Sequence, residues 1–215
     1  PKIFINSFNN IKNFHQKIIS NLGLVISENI KSIFNELENE MTENTDYNIL
    51  QATDKITSYG ERLSAHIISE YLSSIGTKSK FFDSREVILT DNNFGNALVD
   101  LKNSYEKIKN CFNGIDSTQI VTGFIGATKR GETTTIGRSG SDYTASIFAA
   151  ALHAKEIQIW SDVDGILSAN PKVIKNAKTI KNLSYREAME MAHAGAKVIF
   201  PPTIIPALNH NIPIS

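Results

Sequence analysis

The chain has 215 residues, of which 41% are apolar, and its 22 basic residues balance its 22 acidic ones. A zero net charge argues against nucleic acid as the main partner, because phosphate binding needs a basic surface. No apolar run approaches the roughly 18–20 residues of a membrane span. The single cysteine, Cys111, excludes an internal disulfide and suits a reducing compartment, so we expect a cytoplasmic protein.

The first fifty residues are predicted to form two amphipathic helices. Apolar side chains recur at steps of three or four in two stretches, Phe8–Leu22 and Ile30–Met41. Ser7 and Ser27 are placed as N-caps, and Gly23 is placed as a helix stop. No chemistry is evident in this segment, and we interpret it as helices that pack on the rest of the chain.

An alternation of helices and strands is predicted over the remaining residues, 51–215. The predicted elements are a helix from Gly60 to Gly76, a strand at Lys80–Phe82, a helix at Leu101–Phe112, a strand at Gln119–Ile125, an Ala-rich helix at Thr144–His153, a strand at Glu156–Trp160 and a helix that opens with a capping box at Ser184–Glu187 and runs to Gly195. The segment near residue 120 is a largely apolar, β-branched run, as in a strand buried on both faces, and the segment near residue 158 is interpreted as a second buried strand. This alternation predicts an α/β three-layer sandwich with a mainly parallel central sheet.

The glycine-rich segment 131–142 is the densest chemical signal. Glycines let the backbone approach a ligand closely, and the helix that follows offers backbone N–H groups at its start. Arg138 can bind a carboxylate or phosphate through two parallel hydrogen bonds. The alternative is a glycine-rich turn in which Ser141 or Asp142 is an ordinary N-cap, and composition alone does not separate the two.

Three weaker signals lie elsewhere in the chain. The segment Trp160–Gly165 places two carboxylates after a strand, where ligands gather in open α/β sheets. Lys197 ends an apolar helix, and Glu61 and Arg62 form a charged pair at a predicted helix start. Each feature has an ordinary alternative. Trp160–Gly165 is then a turn rich in Asp and Gly, Lys197 a surface lysine, and Glu61 a negative charge that favours the positive end of the helix dipole. The five histidines show no metal-ligand spacing.

Taken together and in order, these motifs resemble the aspartate kinases of the amino acid kinase superfamily. The matching segments are Gly123–Gly126, Thr133–Thr144, Ile159–Gly165 and Ser184–Val198. The form of Ser184–Glu190, with Pro201–Ile204, is most similar to the kinase part of bifunctional aspartate kinase/homoserine dehydrogenases.

The resemblance implies ATP-dependent phosphorylation of the β-carboxylate of L-aspartate to 4-phospho-L-aspartate, the first step toward lysine, threonine and methionine. It implies ATP and Mg²⁺ as cofactors, with few protein ligands to the metal, and a homo-oligomer as the assembly. Residues 51–215 would be a catalytic core truncated at both ends, and residues 1–50 a helical segment of the same kinase domain. Because the chain starts at Pro1 and stops at Ser215, we interpret it as a piece of a longer protein.

The resemblance also assigns roles to individual residues. Glu61 would bind the substrate amine, Arg138 a substrate carboxylate, and Asp142 would orient the reacting groups. The remaining assignments are Ser139, Gly140 and Ser141 as backbone lining of the substrate pocket, Ser161, Asp162, Leu167 and Lys172 as nucleotide contacts, and Lys197 with Val198 at the phosphate end of ATP.

Five positions depart from the family pattern. Ser139 stands in place of Gly, which would narrow the pocket if that position needs a positive φ. Ser161 replaces Thr, and Leu167 replaces an aromatic residue or Met. Asn170 and Lys172 replace Asp and Arg, and lysine keeps the charge but lacks the planar fork of arginine. No Lys-x-Gly-Gly motif occurs in the chain, so we expect these residues on their own to lack kinase activity.

Three other functions stay open at this point. The chain could be a pseudokinase that binds ligands without turnover, or another superfamily member such as a glutamate or uridylate kinase. A Rossmann-type dehydrogenase is disfavoured because the Gly-x-Gly-x-x-Gly fingerprint is missing.

Overall fold

The computed structural model describes residues 2–42, 48–161, 165–170, 172–194 and 201–215. Its elements in chain order are α1 Lys2–Asn21, α2 Glu28–Thr42, α3 Ile49–Ser74, β1 Ser79–Phe82, β2 Leu89–Thr90, α4 Leu101–Phe112, β3 Thr118–Val121, β4 Ile125–Thr128, β5 Thr133–Thr135, α5 Gly140–Leu152, α6 Tyr185–His193 and α7 Pro201–Asn209. The predicted elements follow one another in the predicted order from α1 to α6, with the exceptions described below, whereas the short strands β2 and β5 were not predicted.

The apolar stripes of α1 and α2 form one core with α3, in which α1 packs on α2 and α2 packs on α3, as the periodicity predicts. Their buried side chains are Phe8, Ile19, Ile30, Ile33, Phe34 and Leu37, which meet Tyr59, Leu63 and Ile67 of α3. Ser27 begins α2 by accepting the Ile30 N–H at 3.3 Å, and Gly23 ends α1 with a φ of +70°. The N-cap predicted at Ser7 is wrong, because α1 already begins at Lys2 and passes through it.

Helix α3 begins eleven residues before the predicted start at Gly60. Asn48 caps it by accepting the Gln51 N–H at 2.8 Å, and Gly60 lies in its interior with open space where a Cβ would be. A glycine inside a helix costs only about 1 kcal/mol relative to alanine, which burial along the rest of α3 offsets. The predicted stop is confirmed, since Gly76 has a φ of +88° and Thr77 N–H donates to the Leu72 carbonyl at 2.9 Å.

The single strand predicted at Gln119–Ile125 is two strands that belong to different sheets. β3 pairs in parallel with β1, whereas β4 pairs in parallel with β2 and antiparallel with β5. The chain bends between them at Gly123 and Phe124, where Phe124 has a φ of +68° and donates its N–H to the Thr144 hydroxyl at 3.1 Å. An apolar run cannot reveal such a bend, because it depends on a partner in α5.

The strand predicted at Glu156–Trp160 forms less pairing than expected. Ile157 makes a parallel bridge to Ile214, and Ile159 donates its N–H to the Ser215 carbonyl at 2.8 Å. Trp160 is 90% exposed, so burial on both faces is contradicted. Within the described residues, this segment pairs only with residues 213–215. The ladder is therefore short, because its partner segment has only three residues.

Helix α7 was not predicted from the sequence. Its first residues are prolines, which fit the first turn of a helix because the missing N–H groups would have no partner there. It packs on α5, where the Ala207 N–H donates to the buried Ser146 hydroxyl at 3.2 Å. The capping box predicted at the start of α6 is present: Ser184 and Glu187 each accept from the other's backbone.

Helices cover the strands in two groups. α3 packs on β1, β3 and β5, whereas α4 and α5 pack on each other over a core of Val87, Ile88, Ile108, Ile147 and Ala151. The α/β class with parallel strand pairs between helical groups is therefore confirmed. Across the described residues, no helix is both long enough and apolar enough to span a membrane.

Candidate active site

Two clefts meet at the start of α5. The larger, which we call the main cleft, has a volume of about 700 Å³ and lies between α3, β3 and α5, with Glu61, Gly123 and Ser141 among its lining residues. The smaller, which we call the loop cleft, has a volume of about 470 Å³. Its lining residues are Gly95, Phe124, Gly137, Arg138, Ser139, Gly140, Ser141 and Asp142. Because Ser141 lines both, the two clefts are neighbours.

The turn between β5 and α5 shapes the loop cleft. Gly137 has a φ of +76°, and the amide oxygen of Asn96 fills the space that a Cβ there would need. Ser139 is the N-cap of α5, with a φ of +54° and no side-chain capping bond. The alternative in which Ser141 or Asp142 caps the helix is therefore wrong, because α5 already begins at Gly140. Position 139 therefore has a positive φ, the conformation in which a serine in place of glycine was predicted to narrow the pocket.

Gly140 lets α5 approach the bend between β3 and β4. A Cβ on Gly140 would lie 2.6 Å from Cδ2 of Phe124, well inside van der Waals contact. Thr144 secures the same junction, since its hydroxyl donates to the Gly140 carbonyl at 2.9 Å and accepts the Phe124 N–H. The start of α5 is therefore fixed against the strands by close backbone packing.

The carboxyl groups of the two clefts lie in poorly solvated positions. Desolvation by burial raises the pKa of Glu61 in the main cleft and of Asp142 in the loop cleft. A buried carboxylate is stabilised by an approaching positive charge. Glu61 and Asp142 therefore favour a ligand that carries an ammonium group or a bound cation, while the exposed Arg138 beside Asp142 favours an anionic group.

The structure separates the predicted charged pair of Glu61 and Arg62. Glu61 points into the main cleft, whereas Arg62 Nη2 donates to Glu36 Oε2 of α2 at 2.8 Å, and its Nε lies 3.7 Å from Asp83 Oδ2. Consecutive residues of a helix lie about 100° apart, so they face different neighbours. Arg62 therefore joins α3 to the N-terminal helices, and the pair does not lie at a helix start as predicted.

The predicted nucleotide contacts are only partly described. Ser161 is exposed at the end of the 157–161 segment, and Leu167 makes an antiparallel bridge to Thr179. Lys172 is exposed and follows a turn in which its N–H donates to Asn170 Oδ1 at 3.0 Å. None of the three lines the main cleft or the loop cleft as far as these are described. Asp162, Lys197 and Val198 lie outside the described residues.

Sequence reasoning missed the polar residues that hold the site together. Asp54 of α3 is 1% exposed and accepts hydrogen bonds from Gly95 and Thr135. Thr122, also 1% exposed, exchanges hydrogen bonds with Ser84. A signal for Asp54 exists, because Asp54, Ser58, Glu61 and Ala65 recur at steps of three or four along one face of α3.

Comparison with known proteins agrees with this architecture. The amino acid kinase family model matches residues 6–215. The chain therefore belongs to the amino acid kinase family.

Relatives within that family are aspartokinases. The lysine-sensitive aspartokinase 3 of Escherichia coli K12 is 40% identical over 167 residues, covering 75% of this chain and 36% of the relative. The bifunctional aspartokinase/homoserine dehydrogenase 2 of Arabidopsis thaliana is 38% identical over 164 residues, covering 75% of this chain and 18% of the relative. The two identities are nearly equal, so assignment to the bifunctional group stays a prediction.

A solved structure matches over the whole chain. The crystal structure of Escherichia coli aspartokinase III in complex with aspartate and ADP superposes with a TM-score of 0.91 and 34% sequence identity, and the match covers 100% of this chain and 49% of that one. The chain thus spans about half of that protein and less of the curated relatives.

Proposed function

We propose that the chain forms the aspartate-binding part of an aspartate kinase, which transfers the γ-phosphoryl group of ATP to the β-carboxylate of L-aspartate. The observation that carries this proposal is the meeting of the main cleft and the loop cleft at Ser141. Glu61, which is distant in sequence, lines the main cleft together with Ser141, and Ser141 lines the loop cleft together with Arg138 and Asp142. The similarity to an aspartokinase whose structure holds aspartate and ADP supports the same conclusion.

The charges of the two clefts complement those of aspartate. Its ammonium group would be bound by Glu61, whose half-buried carboxylate lacks full solvation, and one carboxylate by the guanidinium of Arg138. Backbone groups of Ser139, Gly140 and Ser141 at the start of α5 would line the pocket, where helix N–H groups favour negative charge. Binding the amine and one carboxylate in this way leaves the other carboxylate to accept the phosphoryl group.

ATP would be bound by Ser161, Asp162, Leu167 and Lys172, with Lys197 and Val198 at its phosphates. Phosphoryl transfer depends mainly on positioning and on cations around the phosphates. Magnesium, when bound with ATP, would supply such positive charge, and the half-buried Asp142 carboxylate of the loop cleft fits a nearby cation. Assembly into a homo-oligomer and inclusion of residues 1–50 in the kinase domain belong to the same proposal.

The test compares substrates in the intact protein. Glu61→Gln and Arg138→Ala should each lower kcat/KM for aspartate by about 10- to 100-fold, the effect of losing a charge-assisted hydrogen bond. The KM for ATP should change little. Formation of acyl phosphate is followed as hydroxamate, with glutamate offered as a second acceptor.

Two exposed charges provide matched controls. Glu106→Gln on α4 and Arg186→Ala on α6 make the same chemical changes away from both clefts and should leave both KM values unchanged. Equal losses for aspartate and ATP would show that the pocket is misplaced. ATP binding without any turnover by the intact wild-type protein would favour the pseudokinase alternative.

A further inference from the structure

The Asp54 carboxylate is the most deeply buried acidic group among the described residues. It lies in the second turn of α3 and is 1% exposed. Its Oδ2 accepts the Gly95 N–H and the Thr135 N–H, both at 2.9 Å, and its Oδ1 accepts the Thr135 hydroxyl at 2.6 Å. Burying a carboxylate is costly unless several donors compensate it, and here three donors from two separate segments converge on one side chain.

Both segments lead into the loop cleft. Gly95 lines the cleft directly, and Thr135 ends β5 two residues before Gly137. Further contacts join the segments, because the Ala97 N–H donates to the Thr135 carbonyl at 2.9 Å and the Asn96 side chain lies against Gly137. Asp54 binds both segments at this junction, and it belongs to α3, the helix that also carries Glu61.

We propose that Asp54 is a positioning residue for the loop cleft. By holding Gly95 and Thr135 at a fixed separation, its carboxylate sets the direction in which the turn from Gly137 leads into Arg138. It also ties that turn to α3, so that Glu61 and Arg138 keep a constant spacing across the two clefts. The consequence for aspartate binding rests on the proposed function, whereas the effect on the loop does not.

Three variants separate positioning from general stability. Asp54→Ala removes the acceptors for both N–H groups and for the Thr135 hydroxyl. Asp54→Asn keeps the shape and can keep all three contacts, because its oxygen accepts the two N–H groups while its amide donates to the hydroxyl. Ser58→Ala is the matched control, since Ser58 lies one turn further along α3, is 0% exposed and donates only to the Lys55 carbonyl at 2.6 Å among the bonds described.

Kinetics of the intact protein give the first test. Asp54→Ala should raise the KM for aspartate by about tenfold or more, because misplacement of a binding group by about 1 Å is sufficient for such a loss. The KM for ATP should stay within about twofold of wild type. Asp54→Asn should restore aspartate binding, and Ser58→Ala should behave as wild type. A lowered melting temperature with unchanged KM values, equal rises in both KM values, or failure of Asp54→Asn to rescue would each overturn the proposal.

Amide hydrogen exchange gives a second test that needs no substrate. Asp54→Ala should speed exchange in the segments 91–98 and 133–138, relative to Ser58→Ala, while exchange in α2 stays the same. Unchanged protection of Gly95 and Thr135 would overturn the proposal whatever the activity. If the wild-type protein fails to phosphorylate aspartate while Asp54→Ala still loosens these segments, the positioning role stands and only the proposed function fails.

Discussion

The N-terminal helices and the loop cleft are stabilised in contrasting ways. α1 and α2 are held by apolar contacts, with Phe8, Ile30 and Leu37 at most 4% exposed. The clefts depend instead on buried polar groups: Asp54 binds Gly95 of the loop cleft, and Thr122 lines the main cleft, each 1% exposed and hydrogen bonded. Apolar burial is non-directional and tolerates changes of similar volume, whereas a buried hydrogen bond depends on atom type and geometry. The N-terminal helices should therefore be sensitive to a loss of side-chain volume, whereas the clefts should be sensitive to the loss of a polar atom at constant volume.

The largest expected effect is the loss of volume in the helical layer. Ile30→Ala should lower the free energy of unfolding by about 2–5 kcal/mol, because Ile30 is 0% exposed and its removal leaves a cavity. Urea denaturation measures the change. Ile30→Val, a smaller deletion, should cost about 0.5–1.5 kcal/mol. Kinetic constants of either variant, measured well below its melting temperature, should match wild type, and a raised aspartate KM would show that this layer shapes the clefts.

An isosteric change should be damaging only near the site. Thr122→Val keeps the volume but removes the hydroxyl that accepts the Ser84 N–H at 2.8 Å and donates to the Ser84 hydroxyl at 2.9 Å. Leaving those buried groups unpaired should cost about 1–3 kcal/mol. The same substitution at Thr53, an exposed residue of α3, should change stability by less than about 0.5 kcal/mol. Equal effects at both positions would show that the buried hydrogen bonds between Thr122 and Ser84 do not stabilise the cleft.

A gain in stability is expected where the loop holds a strained residue. Ser139 has a φ of +54°, and relief of this conformation by Ser139→Gly should raise the unfolding free energy by about 0.5–1 kcal/mol after the entropy of glycine is counted. His153→Gly, at a φ of +52° beyond the end of α5, should give a similar gain. Only Ser139→Gly should change the KM for aspartate, because only Ser139 lines a cleft. Calorimetry measures the stability gain of both variants, and steady-state kinetics measures the KM for aspartate. A changed KM for His153→Gly, or none for Ser139→Gly, would contradict the prediction.

The smallest effect concerns pH. Desolvation raises the pKa of Glu61 above its ordinary value of 4.5, so its contribution to stability is fully present below pH 4.5 and is lost as the pH rises through the raised pKa. Glu61→Gln should therefore raise the melting temperature slightly at neutral pH and leave it unchanged well below pH 4.5. A lower melting temperature for Glu61→Gln at neutral pH would contradict the desolvation argument.

Asp83 has the opposite pH dependence and serves as an internal reference. Burial opposes its ionisation, but hydrogen bonds and charge from Arg85, with the charge of Arg62, outweigh burial and lower its pKa. Its stabilising contribution is therefore present above its ordinary value of 3.8 and is lost as the pH falls through the lowered pKa.

Local features of the sequence determined much of the fold. The steps of three and four in the first fifty residues predicted α1 and α2, and Ser27, Gly76 and the box at Ser184–Glu187 marked helix ends correctly. Each of these depends on interactions within about one turn of the chain, so neighbouring residues suffice to encode it. The ordered motifs likewise identified the family, while the roles given to individual site residues stay predictions.

Only the tertiary structure decided how the site is assembled. It assigned Glu61 to a cleft and Arg62 to the N-terminal helices, split the apolar run near residue 123 into two strands, and brought Asp54 to Gly95 and Thr135. In each case the deciding partner lies in another element, tens of residues away. A periodic pattern shows that a side chain is buried, but which donor or charge it meets depends on how the elements pack.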